Sequence, residues 1–188
     1  DQPPFVAVAE AAARYGLHVV CGLSERSETG VYNSLAVLSP EGELLARYRK
    51  THLLRTSDVR EETCFAPGDS LVQSHIGGMS WGFSICYDLR YPELYRRLAI
   101  RGAEVLVNCA AWPLSRATHW DSLIRARAIE NQAYVVAANR AGADGPLALC
   151  GKSCIMGPFG GAVAEASASE AGMIVGEVSR EQVLSVRK

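Results

Sequence analysis

Residues 83–93 read Phe-Ser-Ile-Cys-Tyr-Asp-Leu-Arg-Tyr-Pro-Glu, an apolar run that stops at a cysteine and is followed by a turn. Pro92 suits the first position of a helix because its missing N–H would be unpaired there, and Glu93 complements the helix dipole. A cysteine on a strand-to-helix turn exposes its sulfur above the sheet near backbone N–H groups, where a thiol can act as a nucleophile. This segment alone leaves a second interpretation open, a buried structural cysteine, because the flanking glycines of the hydrolase nucleophile elbow are absent.

Strand and helix patterns alternate outward from this turn. Apolar runs predict strands over 79–86, 104–109 and 133–139, and the residues between them predict helices over 92–101 and 117–132. Continuous apolar runs are typical of strands that are covered on both faces. Strands that alternate with helices of this length form right-handed crossovers. The sequence therefore predicts a layered α/β fold.

The rest of the chain predicts one more helix, over residues 1–15, and a loop over residues 51–70. Further strands are expected over 18–24, 31–39, 43–49, 153–157, 161–166 and 172–178. The chain contains no repeat, linker or low-complexity stretch. We therefore expect residues 1–188 to form a single domain.

Composition excludes several classes of function. The 188 residues are 48% apolar and 21% charged, with a formal net charge of -1. Acidic and basic residues are interspersed, so nothing points to a nucleic acid or an anionic membrane surface as a partner. No apolar run approaches the roughly 20 residues that are needed to span a bilayer. The composition is that of a well-buried globular domain.

The cysteine pattern favours free thiols over disulfides. None of the six cysteines forms a C-x-x-C pair, and Cys21, Cys86, Cys109 and Cys154 lie within apolar strand-like runs. In a chain of this length, such a pattern is typical of the reducing cytoplasm. The four histidines are scattered, and no His/Cys cluster has the spacing of metal ligands. We therefore expect a cytoplasmic protein without a metal site.

Four separated segments together resemble the nitrilase, or carbon–nitrogen hydrolase, superfamily. They occur in the order and spacing of the family: 48–53 (Y-R-K-T-H-L), 61–68 (an acid four residues before the Phe of an F-x-P-G turn), 86–93 (C-Y-D-L-R-Y-P-E) and 125–132 (R-A-R-A-I-E-N-Q). Two further stretches, 108–113 and 151–153, are similar to segments of the small amidase branch. The resemblance covers nearly the whole chain.

The resemblance implies both a fold and a catalytic set. The fold is a four-layer α-β-β-α sandwich, often paired into a homodimer or higher homo-oligomer through helix faces, and no cofactor is implied. Cys86 is expected to be the nucleophile, Lys50 to stabilise an oxyanion, and Glu61 to be a second, positioning glutamate. A thiol divides amide hydrolysis into acylation and deacylation through a thioester. A surface lysine and an exposed loop acid remain the alternative interpretations of Lys50 and Glu61, with Glu62 as a competitor.

Three more residues are expected on the substrate side of this site. The backbone N–H of Tyr87 is suited to stabilise an oxyanion. Arg90 is expected to hold a catalytic carboxylate or a substrate acid group, with a structural ion pair as the alternative. Trp112 follows a strand end, on the rim where α/β sheets bind ligands, and either lines an acyl pocket or packs in the core.

The implied activity is hydrolysis of a small amide, possibly one that bears a carboxylate, to an acid and ammonia, as in omega-amidases. N-carbamoyl amine or amino acid hydrolysis uses the same catalytic set and stays open, while the C-Y-D-x-R-Y-P-E form disfavours nitrile hydrolysis. In the family, a general-base glutamate lies in an L-P-E type segment before the helix predicted over 1–15. That segment, with a first strand and helix, is not found in this sequence. We therefore expect a fragment of a longer polypeptide or a truncated gene product, and a non-catalytic interaction domain is the alternative from another class.

Overall fold

The computed structural model describes residues 3–57 and 59–187 and contains two main sheets, one separate hairpin and four α-helices within those residues. The strands are β1 (Val19–Ser27), β2 (Gly30–Leu38), β3 (Leu44–Arg49), β4 (Gln73–Ile76), β5 (Met79–Ile85), β6 (Val105–Ala110), β7 (Tyr134–Asn139), β8 (Ala141–Asp144), β9 (Leu147–Cys150), β10 (Cys154–Met156) and β11 (Ala162–Glu165). The helices are α1 (Pro3–Tyr15), α2 (Pro92–Ile100), α3 (Ala117–Asn131) and α4 (Arg180–Val186).

The larger sheet has six strands in the order β11-β10-β7-β6-β5-β4. Its centre, β5-β6-β7, is parallel, and α2 and α3 are the crossovers between these strands. The predicted strands over 79–86, 104–109 and 133–139 and both predicted helices are therefore confirmed to within two residues. β4 and β10 add antiparallel edges to the parallel centre.

Strand β5 shows how the sheet is covered on both faces. Phe83 is fully buried, and it shares one core with Leu35 and Val37 of the other sheet. The alternate residues face α2: a Cβ added to Gly82 would lie 3.0 Å from a Leu98 methyl carbon, and the Ser84 hydroxyl lies 2.6 Å from the Tyr95 hydroxyl. Other elements of the fold therefore pack against both faces of β5, as is typical of a central parallel strand.

The smaller sheet, β1-β2-β3, is an antiparallel meander. Helix α1 covers its outer face, where Ala12 is only 1% exposed. The turn between β2 and β3 approaches α1 closely: Gly42 has φ +82°, and a Cβ there would lie 2.6 Å from the Ala9 carbonyl oxygen. With α2 and α3 on the far side of the larger sheet, the layers are α-β-β-α, as the resemblance implied.

The strand predicted over 172–178 is wrong. All of these residues are described, and they form no strand. Ile174 and Val178 pack against a small buried cluster that includes Met79 and Tyr134. The apolar residues of this segment therefore report side-chain burial against the edge of the larger sheet, without a backbone ladder.

The sequence analysis missed three elements: β4, the β8–β9 hairpin and α4. Helix α4 does carry a start signal, because the Ser179 Oγ accepts a hydrogen bond from the backbone N–H of Gln182 at 3.4 Å, and Ser-x-x-Gln is the pattern of a capping box. None of the helices in the described part of the chain is long and apolar enough to cross a membrane.

Candidate active site

Cys86 stands at the point where β5 ends. It opens a 3-10 turn, Cys86–Arg90, that leads into α2 at Pro92. Its φ is 47°, in the left-handed region that residues other than glycine rarely adopt. Such a conformation costs on the order of 1–3 kcal/mol and tends to occur at functional sites. The turn places a half-buried thiol at the carboxyl end of a central strand.

Lys50 and Glu61 form a paired site next to this turn. The Lys50 side chain is only 1% exposed, and its Nζ donates to both Glu61 carboxylate oxygens at 2.8 and 2.6 Å. Glu61 also accepts the backbone N–H of Leu54 at 2.6 Å. Burying an ammonium costs several kcal/mol unless it is paired. The neighbouring Glu62 instead bonds to Arg60 at 3.1 Å, so the structure selects Glu61 as the partner of Lys50.

The backbone around Lys50 explains how the pair is held. Glu61 donates its N–H to the Leu54 carbonyl oxygen at 3.0 Å, which closes the loop between the two partners. The F-x-P-G turn then returns to the same strand end, where the Gly68 N–H donates to the Lys50 carbonyl oxygen at 2.8 Å. A Cβ on Gly68 would lie 2.2 Å from the Arg49 carbonyl oxygen. Only glycine allows this close approach.

A cavity of about 870 Å³ opens beside Cys86. Five of the six predicted site residues line it: Glu61, Cys86, Tyr87, Arg90 and Trp112. The sixth, Lys50, is bonded to Glu61. This volume suits a small-molecule ligand.

The protonation of Cys86 follows from its surroundings. Burial raises the pKa of the Cys86 thiol above its ordinary value, and the Lys50 ammonium and a hydrogen bond from the Ala111 backbone act in the opposite direction. The carboxylates of Glu61 and Asp88 add to the increase. The thiol is therefore protonated at neutral pH and needs a base before it can attack.

Comparison with known proteins now identifies the chain. The family model described as carbon-nitrogen hydrolase matches residues 1–188. The chain belongs to this family.

Individual relatives support the assignment. A 2-oxoglutaramate amidase of Bacillus subtilis is 36% identical over 178 residues, which cover 94% of this chain and 68% of that protein. A CN-hydrolase superfamily protein of Xanthomonas campestris, solved with an arsenic adduct in its active site, has a TM-score of 0.91 at 31% identity, with 100% of this chain and 72% of that one covered.

A third relative is an amidase variant from a Nesterenkonia species, which carries the acetamide moiety of fluoroacetamide on its active-site cysteine. It has a TM-score of 0.81 at 27% identity, with 88% of this chain and 63% of that one covered. The chain spans about two thirds of the length of these relatives.

In this carbon–nitrogen hydrolase, Arg90 and Trp112 lie together on the cavity wall. The Arg90 guanidinium carbon is 5.2 Å from the centre of the Trp112 ring and 5.8 Å from that of Tyr87, and one of its nitrogens donates to His119 Nδ1 at 3.0 Å. Trp112 is 2% exposed, and its indole N–H donates to the Arg116 carbonyl oxygen at 2.9 Å. The sequence left two interpretations of Trp112 open, a cavity-lining residue and a core residue. Both are correct, because Trp112 packs in the core and also lines the cavity.

Two buried polar residues of the site were missed by the sequence analysis. Asn139 lines the cavity, and its Oδ1 accepts the backbone N–H of Trp112 at 2.8 Å. Asp88 is fully buried beneath the Cys86 turn. The signal for Asp88 in the sequence was its place in the 86–93 segment, two positions after the cysteine. Within the described residues, no group of three or more His, Cys, Asp or Glu side chains could hold a metal ion.

Proposed function

We propose that this carbon–nitrogen hydrolase cleaves the C–N bond of a small amide through a thioester on Cys86, releasing ammonia and a carboxylic acid. The observation that carries the proposal is that a buried lysine–glutamate pair and a strained cysteine meet at one cavity. The Lys50 charge acts on the Cys86 sulfur, and Glu61 and Cys86 line the same wall. The covalent adduct on the active-site cysteine of the Nesterenkonia amidase variant supports a nucleophilic role for Cys86.

The chemistry divides into two half-reactions. In acylation, a carboxylate takes the thiol proton, the Cys86 sulfur attacks the amide carbon, and the tetrahedral intermediate expels ammonia, which leaves with that proton. In deacylation, the same carboxylate activates a water that cleaves the thioester. In both half-reactions, the ammonium of Lys50 and the backbone N–H of Tyr87 stabilise the oxyanion.

The hydrogen bonds of Glu61 suit a positioning glutamate rather than the general base. Its carboxylate accepts three hydrogen bonds, two from Lys50 and one from Leu54. These contacts hold the Glu61 carboxylate in one orientation and suit a positioning role. The resemblance implies a separate general-base glutamate in an L-P-E type segment, and we assign no residue of 1–188 to that role.

The cavity wall supports an acid-bearing amide as the substrate. Three arginines, Arg90, Arg116 and Arg140, line the cavity, together with Glu61 and Asp144. Both carboxylates are already paired, Glu61 with Lys50 and Asp144 with Arg140 at 2.9 Å. Within the described residues, neither Arg90 nor Arg116 pairs with a carboxylate, and we assign both to a substrate carboxylate, for which a planar guanidinium is well suited. The name of the relative, 2-oxoglutaramate amidase, describes such a substrate.

The test is ammonia release by the full-length protein from a panel of neutral amides, acid-bearing amides and N-carbamoyl compounds. We expect acid-bearing amides to be hydrolysed and the Cys86→Ala variant to be inactive. Full activity of Cys86→Ala would contradict the mechanism. A preference for N-carbamoyl compounds would contradict the amide assignment. An inactive wild-type protein would favour the alternative, a non-catalytic interaction domain.

A second comparison tests the acid subsite. Arg116→Gln should lower kcat/KM for an acid-bearing amide by about tenfold or more, as expected for loss of a charge-assisted hydrogen bond, and should leave a neutral amide of equal length little affected. Arg96→Gln, on the exposed face of α2, is the matched control. Equal losses on both amides would contradict the subsite.

A further inference from the structure

Asp88 connects the segment that carries Lys50 to the turn that carries Cys86. Its fully buried carboxylate accepts hydrogen bonds from the hydroxyl of Tyr48 at 2.7 Å and from the backbone N–H of Ile85 at 2.9 Å. It also accepts from the Thr51 hydroxyl at 3.2 Å, the His52 backbone N–H at 3.0 Å and the His52 ring Nδ1 at 2.8 Å. Five hydrogen bonds from two separate segments therefore converge on one side chain.

The donors bracket the two proposed catalytic groups. Tyr48, Thr51 and His52 lie on either side of Lys50 in the chain, and Ile85 precedes Cys86. Asp88 itself makes no hydrogen bond to the Lys50 ammonium, which is bonded to Glu61. Its contacts fix the backbone that carries Lys50 relative to the turn that carries Cys86.

The partners of the Asp88 carboxylate are suited to donate hydrogen bonds to it. Burial and the nearby Asp88 charge raise the pKa of the Tyr48 hydroxyl, so that this group keeps its proton. The His52 ring is held from its other side by stacking on Tyr91, with ring centres 3.6 Å apart and planes 12° from parallel. A buried charge without a lysine or arginine partner is costly, and here five donors offset that cost.

We propose that Asp88 is a positioning residue that fixes the Lys50 ammonium and the Cys86 sulfur at the separation needed for acylation. This inference rests on the proposed function, since it assigns Asp88 a role in that same reaction. Displacement of a reacting group by about 1 Å can cost on the order of 100-fold in rate. None of the five hydrogen bonds of Asp88 reaches a substrate position. Loss of its carboxylate is therefore expected to lower kcat rather than to raise KM.

The main experiment is a double-mutant cycle in the full-length protein. Asp88→Asn should lower kcat by about 10- to 100-fold with KM little changed. In a Lys50→Met background, the same change should cost less than about threefold, because no ammonium remains to be positioned. An equal loss in both backgrounds, or a loss that appears in KM alone, would overturn the proposal.

A second readout does not need hydrolysis, so it separates this proposal from the proposed function. Alkylation of Cys86 by iodoacetamide follows the thiolate fraction. Because the Lys50 charge lowers the thiol pKa, Lys50→Met should move the alkylation midpoint to higher pH. That shift should be smaller when residue 88 is changed to asparagine. A shift of the same size with and without the Asp88 carboxylate would overturn the proposal even if no substrate is found.

Two variants control for folding. Glu25→Gln removes a different buried carboxylate, which accepts from Ser34 at 2.6 Å and from Arg49 at 2.5 Å away from the cavity. It should lower stability and leave kcat within about twofold of wild type. Tyr48→Phe removes one donor and keeps the ring, so it decides the question if Asp88→Asn does not fold. It should lower kcat several-fold, and an unchanged kcat would overturn the proposal.

Discussion

At the residue scale, the backbone of Cys86 carries the strain of the site. A φ of 47° is ordinary for glycine and costly for other residues. Asp88 helps to hold this conformation, because its carboxylate accepts the N–H of Ile85 immediately before the turn. The strained residue both lines the cavity and packs against the core.

This strain gives a stability prediction. At ordinary positions, a glycine is less stable than an alanine by about 0.5–1 kcal/mol. At position 86 the order should reverse, with Cys86→Gly more stable than Cys86→Ala by about 1 kcal/mol, because only alanine pays for the left-handed conformation. Urea unfolding of both variants measures the difference. An alanine variant that is the more stable of the two would show that the site is unstrained.

Lys50 gives an activity prediction at the same scale. If its ammonium stabilises the oxyanion, Lys50→Ala should lower turnover by about 100- to 1,000-fold with a much smaller effect on KM. Lys50→Arg should not restore activity, because a planar guanidinium cannot take the position of a compact ammonium that is held by both Glu61 oxygens. Steady-state kinetics on the substrate found in the panel checks both variants, and an active arginine variant would contradict the assigned geometry.

At the element scale, the F-x-P-G turn sets where the Lys50 strand end lies. Gly68→Ala should destabilise the protein by about 1–3 kcal/mol, because its Cβ would overlap the Arg49 carbonyl and force the turn away. Activity should also fall, since the Gly68 N–H bonds to the Lys50 carbonyl. Gly161→Ala is the matched control, because nothing lies within 4 Å of a Cβ there. Equal unfolding free energies for the two variants would contradict this role of the turn.

The elements that could be predicted are those whose burial is complete. The central strands of the larger sheet are covered on both faces, so they are largely apolar. The start of α2 could be predicted because Pro92 is typical of the first turn of a helix. Strand β4 is a short edge strand, and the exposed β8–β9 hairpin buries little apart from Leu149 and Cys150, so neither leaves a strong pattern. Residues 172–178 have the pattern of a strand and lack its pairing, because periodicity reports burial rather than hydrogen bonding.

At the scale of the whole molecule, the sequence located the segments of the site better than their connections. Lys50, Glu61 and Cys86 could be found because each lies in a recognisable local segment. Asp88 could not be assigned a role, because its partners Tyr48 and His52 lie 40 and 36 positions away in the chain. Contacts over such distances are fixed by the packing of the two sheets. A single domain over 1–188, a homo-oligomer and a cytoplasmic location stay predictions.

The central claim is that Cys86, among six cysteines, forms the acyl intermediate. Two of the other thiols differ in environment: burial raises the pKa of Cys109 and of Cys154 to about 12, and at Cys154 the charge of Arg125 opposes this only in part. The most direct measurement is mass spectrometry of full-length protein that is acid-quenched during turnover of an amide substrate and then digested. We expect the acyl mass on the peptide that contains Cys86 and on no other peptide. An acyl group on another cysteine, or turnover without any acylated peptide in a quench that traps thioesters, would contradict the account.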